Sequence, residues 1–161
     1  MIALKRDLQI DAYQMDDILF VCTELYAISC MYSISQRQLM STIDKETTAE
    51  MLELACVEHC LPFEQAIEER VKGSFPQLEK IQYPCPFHVA WNCSGIYARL
   101  IAMLWLETKI AVVDLFERVY CSPLGDWLVD TSTAWPIVPS NMLLDESYDI
   151  LGLKRTKILF S

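Results

Sequence analysis

Between Asp16 and Ser33 the apolar residues Ile18, Val21, Cys22, Leu25 and Ile28 recur at i, i+3, i+4, i+7 and i+10, which makes one stripe on a helix. Asp11, Asp16 and Asp17 lie near its start, where negative charge suits the helix dipole. Ser33 to Lys45 is more polar and reads as a connection. Thr47 with Glu50 three residues on forms a capping-box pattern, which opens a helix running to about Cys60. Leu61-Pro62 marks a bend or a new start, because proline disfavours the helical region for the residue before it. From Phe63 to Lys72, Phe63, Ile67 and Val71 share one helix face, and Gly73 and Pro76 close the segment.

Tyr83-Pro84-Cys85-Pro86 is a second break. A short helix is expected over Phe87 to Asn92, followed by a tight corner at Cys93-Ser94-Gly95. Ile96 to Leu106 is apolar all round apart from Arg99, the pattern of a helix that sits in the middle of a fold. Ile110 to Tyr120 extends or follows it. Ser122-Pro123 resembles a helix start with proline at the first helical position, and Leu124 to Asp130 continues for a turn or two. Pro136 and Pro139 interrupt the chain before a last short helix over Asp145 to Leu151. The expected fold is all-α: seven or eight helices with short connections around one central hydrophobic helix. No repeat or linker divides residues 1–161, so a single domain is expected.

Composition narrows the function classes. The chain is 53% hydrophobic and has only four glycines, fewer than strand-rich folds need for their turns. Its net charge is −9 and its basic residues are scattered, so no stripe exists to neutralise phosphates and nucleic acid is not expected as a ligand. No stretch approaches 18 uninterrupted apolar residues, and Ile158-Leu159-Phe160 is too short to anchor anything, so no membrane span is expected. Seven cysteines without regular spacing, and no signal-like start, imply reduced thiols and a cytoplasmic location.

Two Cys/His groups, Cys56-His59-Cys60 and Cys85-His88-Cys93, contain zinc-ligating residue types, but their spacing matches no familiar zinc pattern. They read as small hydrophobes. Neither histidine lies in a recognisable nucleophile motif and no Gly-rich phosphate loop exists, so neither an enzyme nor a cofactor is expected. Arg99 is more informative. A cation in the first turn or so of an apolar helix opposes the dipole, and a partly buried guanidinium needs an anion to offset its desolvation. That anion is either internal, for instance Glu69 or Asp130, or is supplied by a ligand.

At these residues the chain resembles the Bcl-2 family of apoptosis regulators. The first homology motif of that family runs roughly E-L-F-R-D-G-V-N-W-G-R-I-V-A-F-F. Here Val89 to Met103-Leu104 parallels it, with Trp91 as the aromatic before the corner, Tyr97 for the motif's tryptophan, Ala98 for its glycine, Arg99 kept, and Leu100-Ile101-Ala102 for Ile-Val-Ala. Phe63, Ile67 and Val71 fall on the groove helix's aromatic positions, and the helix from Asp16 is similar to the fourth homology region. Trp127 to Trp135 resembles the second motif with one extra residue and no Gly pair; alternatively Ser122-Pro123-Leu124 starts the helix after the central one and that motif is degraded. The stretch Cys56 to Phe63 lacks the killing-helix core, and the family's usual C-terminal anchor is absent, as in the virus-encoded members.

The resemblance implies a Bcl-2-like bundle and an apoptosis inhibitor. Its hydrophobic groove would hold the amphipathic helix of pro-apoptotic proteins of the Bim, Bak or Bax type, in the host cell cytosol if the chain is viral. Phe63, Ile67, Val71, Ala90, Ile101 and Leu106 would line the groove, Tyr97 and Ala98 would lie where the ligand helix passes closely, and Arg99 would pair with the ligand's aspartate. Aromatics expected at the surface leave a homodimer open. The alternative from composition alone is an acidic helical immunity protein or secretion chaperone that binds a basic protein.

Overall fold

The structure is a computed structural model that describes residues 8–129 and 140–154. Asp130, Pro136, Pro139 and Ile158 to Phe160 lie outside the described residues, and with them most of the segment that resembles the second homology motif. Seven α-helices dominate: α1 (Met15–Tyr32), α2 (Gln36–Ser41), α3 (Lys45–Glu58), α4 (Phe63–Ser74), α5 (Phe87–Thr108), α6 (Val112–Tyr120) and α7 (Ser140–Leu151). A 3₁₀ segment, Pro123–Val129, follows α6, and a two-residue hairpin, β1 (Gln9–Ile10) with β2 (Tyr13–Gln14), precedes α1. The all-α expectation holds at the level of fold class.

The polar stretch expected as a connection contains α2. Its signal was a capping box one turn upstream of Leu39: the Ser35 hydroxyl accepts from Gln38 N at 3.0 Å, and the Gln38 side chain accepts from Ser35 N at 3.4 Å. The cap of α3 is Asp44 rather than Thr47; the Asp44 carboxylate accepts from both the backbone N–H and the hydroxyl of Thr47, at 2.8 and 2.7 Å. Helix α4 runs through Gly73 instead of ending before it.

Two larger corrections concern α5. It is one continuous helix of 22 residues, with no corner at Cys93-Ser94-Gly95. Gly95 costs about 1 kcal/mol in a helix interior, but its neighbour Ser94 is fully buried. The Ser94 hydroxyl meets that of Thr23 on α1 at 3.0 Å, so packing on α1 carries the helix across the weak point. The second correction is that the helix buried all round is α1. Twelve of its 18 residues are buried, ten of them in an unbroken run from Phe20 to Ser29, whereas α5 buries eight of 22. Helix α1 packs most extensively against α5 and also touches α2, α3 and α4. The hairpin fastens the far end of the bundle: Asp11, in the left-handed region at φ 60, accepts from Val112 N at 3.0 Å and so places a carboxylate at the start of α6.

Candidate functional site

Because α5 lies on α1 by one face only, it keeps an open stripe. At 100° per residue, His88, Asn92, Arg99 and Leu106 fall within about 40° of one another on the helix surface, with Gly95, Ile96 and Met103 beside them. The first four are exposed and the last three half-buried. From Asn92 to Leu106 the stripe is about 21 Å long, at 1.5 Å per residue. The opposite face is closed. Tyr97 is buried, its hydroxyl donates to the Leu124 carbonyl, and its ring stacks on Tyr120 with centroids 4.8 Å apart. At the amino end of α5, Phe63, Phe87 and Trp91 form an edge-to-face and tilted aromatic group with centroids 5.0 and 5.3 Å apart, and Phe87 is 42% exposed.

Arg99 stands near the middle of the stripe. It is the thirteenth residue of α5, so the dipole argument for its partner, which assumed a helix start near Ile96, does not apply. Its side chain is exposed, and its Nε donates to Gly95 O at 3.4 Å. Among the described residues no carboxylate lies within ion-pair distance of it. Of the two internal candidates, Glu69 accepts from Gln65 Nε2 at 3.3 Å, and Asp130 lies outside the described residues. A Cβ at Gly95 would stand 3.8 Å from Arg99 Nη2, an ordinary van der Waals contact, so the guanidinium lies along the helix beside that position.

The expected groove residues are divided by the fold. Arg99 and Leu106 reach the surface on the α5 stripe, and Phe63 is half-buried in the aromatic group. Ile67, Val71, Ala90, Tyr97, Ala98 and Ile101 are core residues. Of the shared apolar face, Ile67 and Val71 pack into the core and Phe63 remains half-buried at its end. As the chain stands, those six side chains touch only the protein itself.

Sequence reasoning missed a buried ion cluster. Arg70 on α4 is 5% exposed, and its Nη2 donates to Glu58 Oε1 at 2.6 Å. Its Nη1 donates to Ser74 Oγ at 3.1 Å, and its Nε lies 3.7 Å from Glu24 Oε2 on α1. Burial drives the Glu24 carboxyl well above the usual carboxylate range; repulsion from Glu58 adds to this and attraction to Arg70 opposes it. Burial thus favours the protonated form of Glu24, while Arg70 makes its close contact with Glu58. Glu24 is wholly enclosed, so the cluster clamps α1, α3 and α4 together. The signal was present in the sequence, since Glu24 is the sole charge between Ile18 and Tyr32.

The Cys/His groups separate. Cys56, His59 and Cys60 are exposed at the end of α3, with Cys60 Sγ 3.8 Å from His59 Nδ1. Cys85 and Cys93 turn inward toward α1, while His88 faces out. Among the described residues, no three His, Cys, Asp or Glu side chains converge in a way that would hold a metal ion. Helix α5 is long and apolar enough to cross a membrane by length and composition, with a mean hydropathy of 1.2; packing within the fold buries 44% of that window. No protein-family model, curated protein or solved structure matches the chain.

Proposed function

We propose that the chain captures an amphipathic helix on the open stripe of α5, and that it does so as a pro-survival protein of the Bcl-2 type, holding the death helix of Bim-, Bak- or Bax-like partners. The observation that carries this reading is Arg99: an exposed guanidinium with no carboxylate at hand among the described residues, set between Ile96, Met103 and Leu106. An amphipathic ligand with apolar anchors over three to four turns spans about the length of the stripe, and an acidic residue amid those anchors meets Arg99. The resemblance around Arg99 supplies the partner class. The surface differs from the expected one, because Ile67 and Val71 are replaced as lining residues by α5's own open side and by Phe87 and Trp91. This reading places the chain in the cytosol, with no cofactor and no catalytic step.

The test is titration calorimetry with a Bim-type peptide. Binding is expected in the wild type, and Arg99→Glu is expected to weaken it by tenfold or more, about 1.4 kcal/mol. Replacing the peptide's aspartate with alanine is expected to remove most of that difference between the two proteins. Absent binding, or equal binding by wild type and variant, overturns the assignment.

A further inference from the structure

The segment that joins α4 to α5, residues 75–86, is a strap laid against the carboxyl end of α1. Phe75 anchors its start with no exposed surface. Farther along, Met31 O accepts from Gln82 N at 2.7 Å and from Tyr83 N at 3.3 Å, one α1 carbonyl holding two consecutive strap amides. Cys30 is the α1 residue beside that anchor, and Cys85 follows it on the strap by two residues. Their thiols lie close enough for each to shift the titration of the other. Tyr26, one turn back on α1, is close enough to Cys30 and to Cys93 of α5 for their interactions to add to the rise that burial gives its hydroxyl. All three cysteines are half-buried and packed against the core, so solvent still reaches them.

We propose that Cys30 and Cys85 are a disulfide-forming pair, a redox modification site that locks the strap to α1 immediately before Phe87. The roles of the two sulfurs differ. Hydrogen bonding from Cys85, with a smaller contribution from Tyr26, pulls the Cys30 thiol down to about 7 against the effect of its burial. Cys85 is pushed up, first by that same bond and then by burial. Cys30 is therefore the sulfur that holds the thiolate, and thiolates are what oxidants attack. With a hydroperoxide as oxidant, Cys30 sulfur attacks one peroxide oxygen, the O–O bond breaks, and Cys30 becomes a sulfenic acid while the other oxygen leaves as water or alcohol. Cys85 sulfur then attacks Cys30 sulfur, the S–S bond forms, and the sulfenic oxygen leaves as water with the Cys85 proton. Two thiols are oxidised and one hydroperoxide is reduced. Cys56 and Cys60 provide the contrast: Cys56 is exposed on α3 and Cys60 just past its end, and each thiol donates to an α3 carbonyl.

The experiment exposes the reduced full chain to hydrogen peroxide, blocks the remaining thiols with N-ethylmaleimide and maps the products by mass spectrometry. Trypsin leaves Cys22 with Cys30 on residues 7–37 and Cys85 with Cys93 on residues 81–99, so chymotryptic cleavage after Tyr26 and Trp91 is needed to separate them. Two of the seven thiols are expected to disappear into a linked peptide pairing Cys30 with Cys85, restored by dithiothreitol. In Cys85→Ser the bridge is lost and dimedone labels Cys30, whereas Cys93→Ser still forms it. A link joining Cys30 to Cys93 or Cys56 to Cys60 in its place, or no thiol loss in a chain that keeps its helical circular dichroism, overturns the proposal.

Discussion

Glu24 and Arg99 are the charged residues within the apolar runs Ile18 to Tyr32 and Ile96 to Leu106, and the fold treats them oppositely. Glu24 is sealed in, where burial drives its carboxyl well above the usual range; Arg99 faces water. The consequence for Glu24 is a dependence of stability on pH. Below the ordinary value of 4.5 both folded and unfolded chains hold the proton, and the favourable contribution is complete. As pH rises the unfolded chain releases the proton while the folded chain retains it, so stability falls until the raised folded value is passed. The Glu24→Gln variant cannot ionise and escapes that loss. Urea midpoints measured from pH 4.5 to 8 are expected to show the variant gaining on the wild type as pH rises; a gap constant with pH would show that Glu24 is ionised in the fold. Removing the cation instead, by Arg70→Met, leaves Glu58 and Glu24 unopposed in the interior and is expected to cost about 3 kcal/mol in the same measurement, partly restored by adding Glu24→Gln. Only one member of this contrast was read from sequence. Arg99 drew notice because it interrupts the most apolar run of the chain. Arg70 was hidden, because Glu68-Glu69-Arg70 looks like a solvated face until the fold shows where α4 turns.

Individual helices were legible where amphipathic spacing and punctuation agree. Helices α1, α3, α4 and α6 fall near their expected places for that reason, with Pro62 and the polar stretch after Ser33 as boundaries. What failed was the use of Ser and Gly as breakers inside α5, since local propensity worth about 1 kcal/mol is outweighed by a buried helix–helix contact. The two glycines that test this point in opposite directions. Gly95 is in helical conformation and a Cβ there would make only an ordinary contact with Arg99 Nη2, so Gly95→Ala is expected to raise stability by about 0.5–1 kcal/mol. A corner at Gly95 would make the same change destabilising. Gly125, in the 3₁₀ segment, has no such freedom: a Cβ there collides with the Tyr120 carbonyl oxygen and crowds Arg37. Gly125→Ala is expected to destabilise by about 2 kcal/mol or more, because the obstacle is backbone. Thermal melts of the two variants beside the wild type check both signs.

At the scale of the whole chain, hydropathy misplaced the centre. Ile96 to Leu106 is the most apolar run, yet α1 is the helix enclosed by its neighbours, because burial is decided by how many elements surround a segment and a pattern along one helix does not report that. The same limit applied to the expected groove residues, six of which the fold buries in its core. Net charge, by contrast, is a property the sequence states outright, and it separates the two functional readings. If the ligand is an apolar helix held by one ion pair at Arg99, the −9 charge is a bystander. Screening a single exposed pair, worth up to about 1 kcal/mol, then costs at most about fivefold in affinity. If the acidic surface captures a basic folded protein, many charges act over distances near the Debye length, which shrinks from about 10 Å at 0.1 M salt to 3 Å at 1 M, and affinity collapses by orders of magnitude. Titrating the Bim-type peptide at 0.05 and 0.5 M salt is expected to give the shallow dependence, and to lose most of even that in Arg99→Glu. A steep dependence that survives Arg99→Glu would move the binding surface away from α5 and onto the acidic outer faces of α3 and α4.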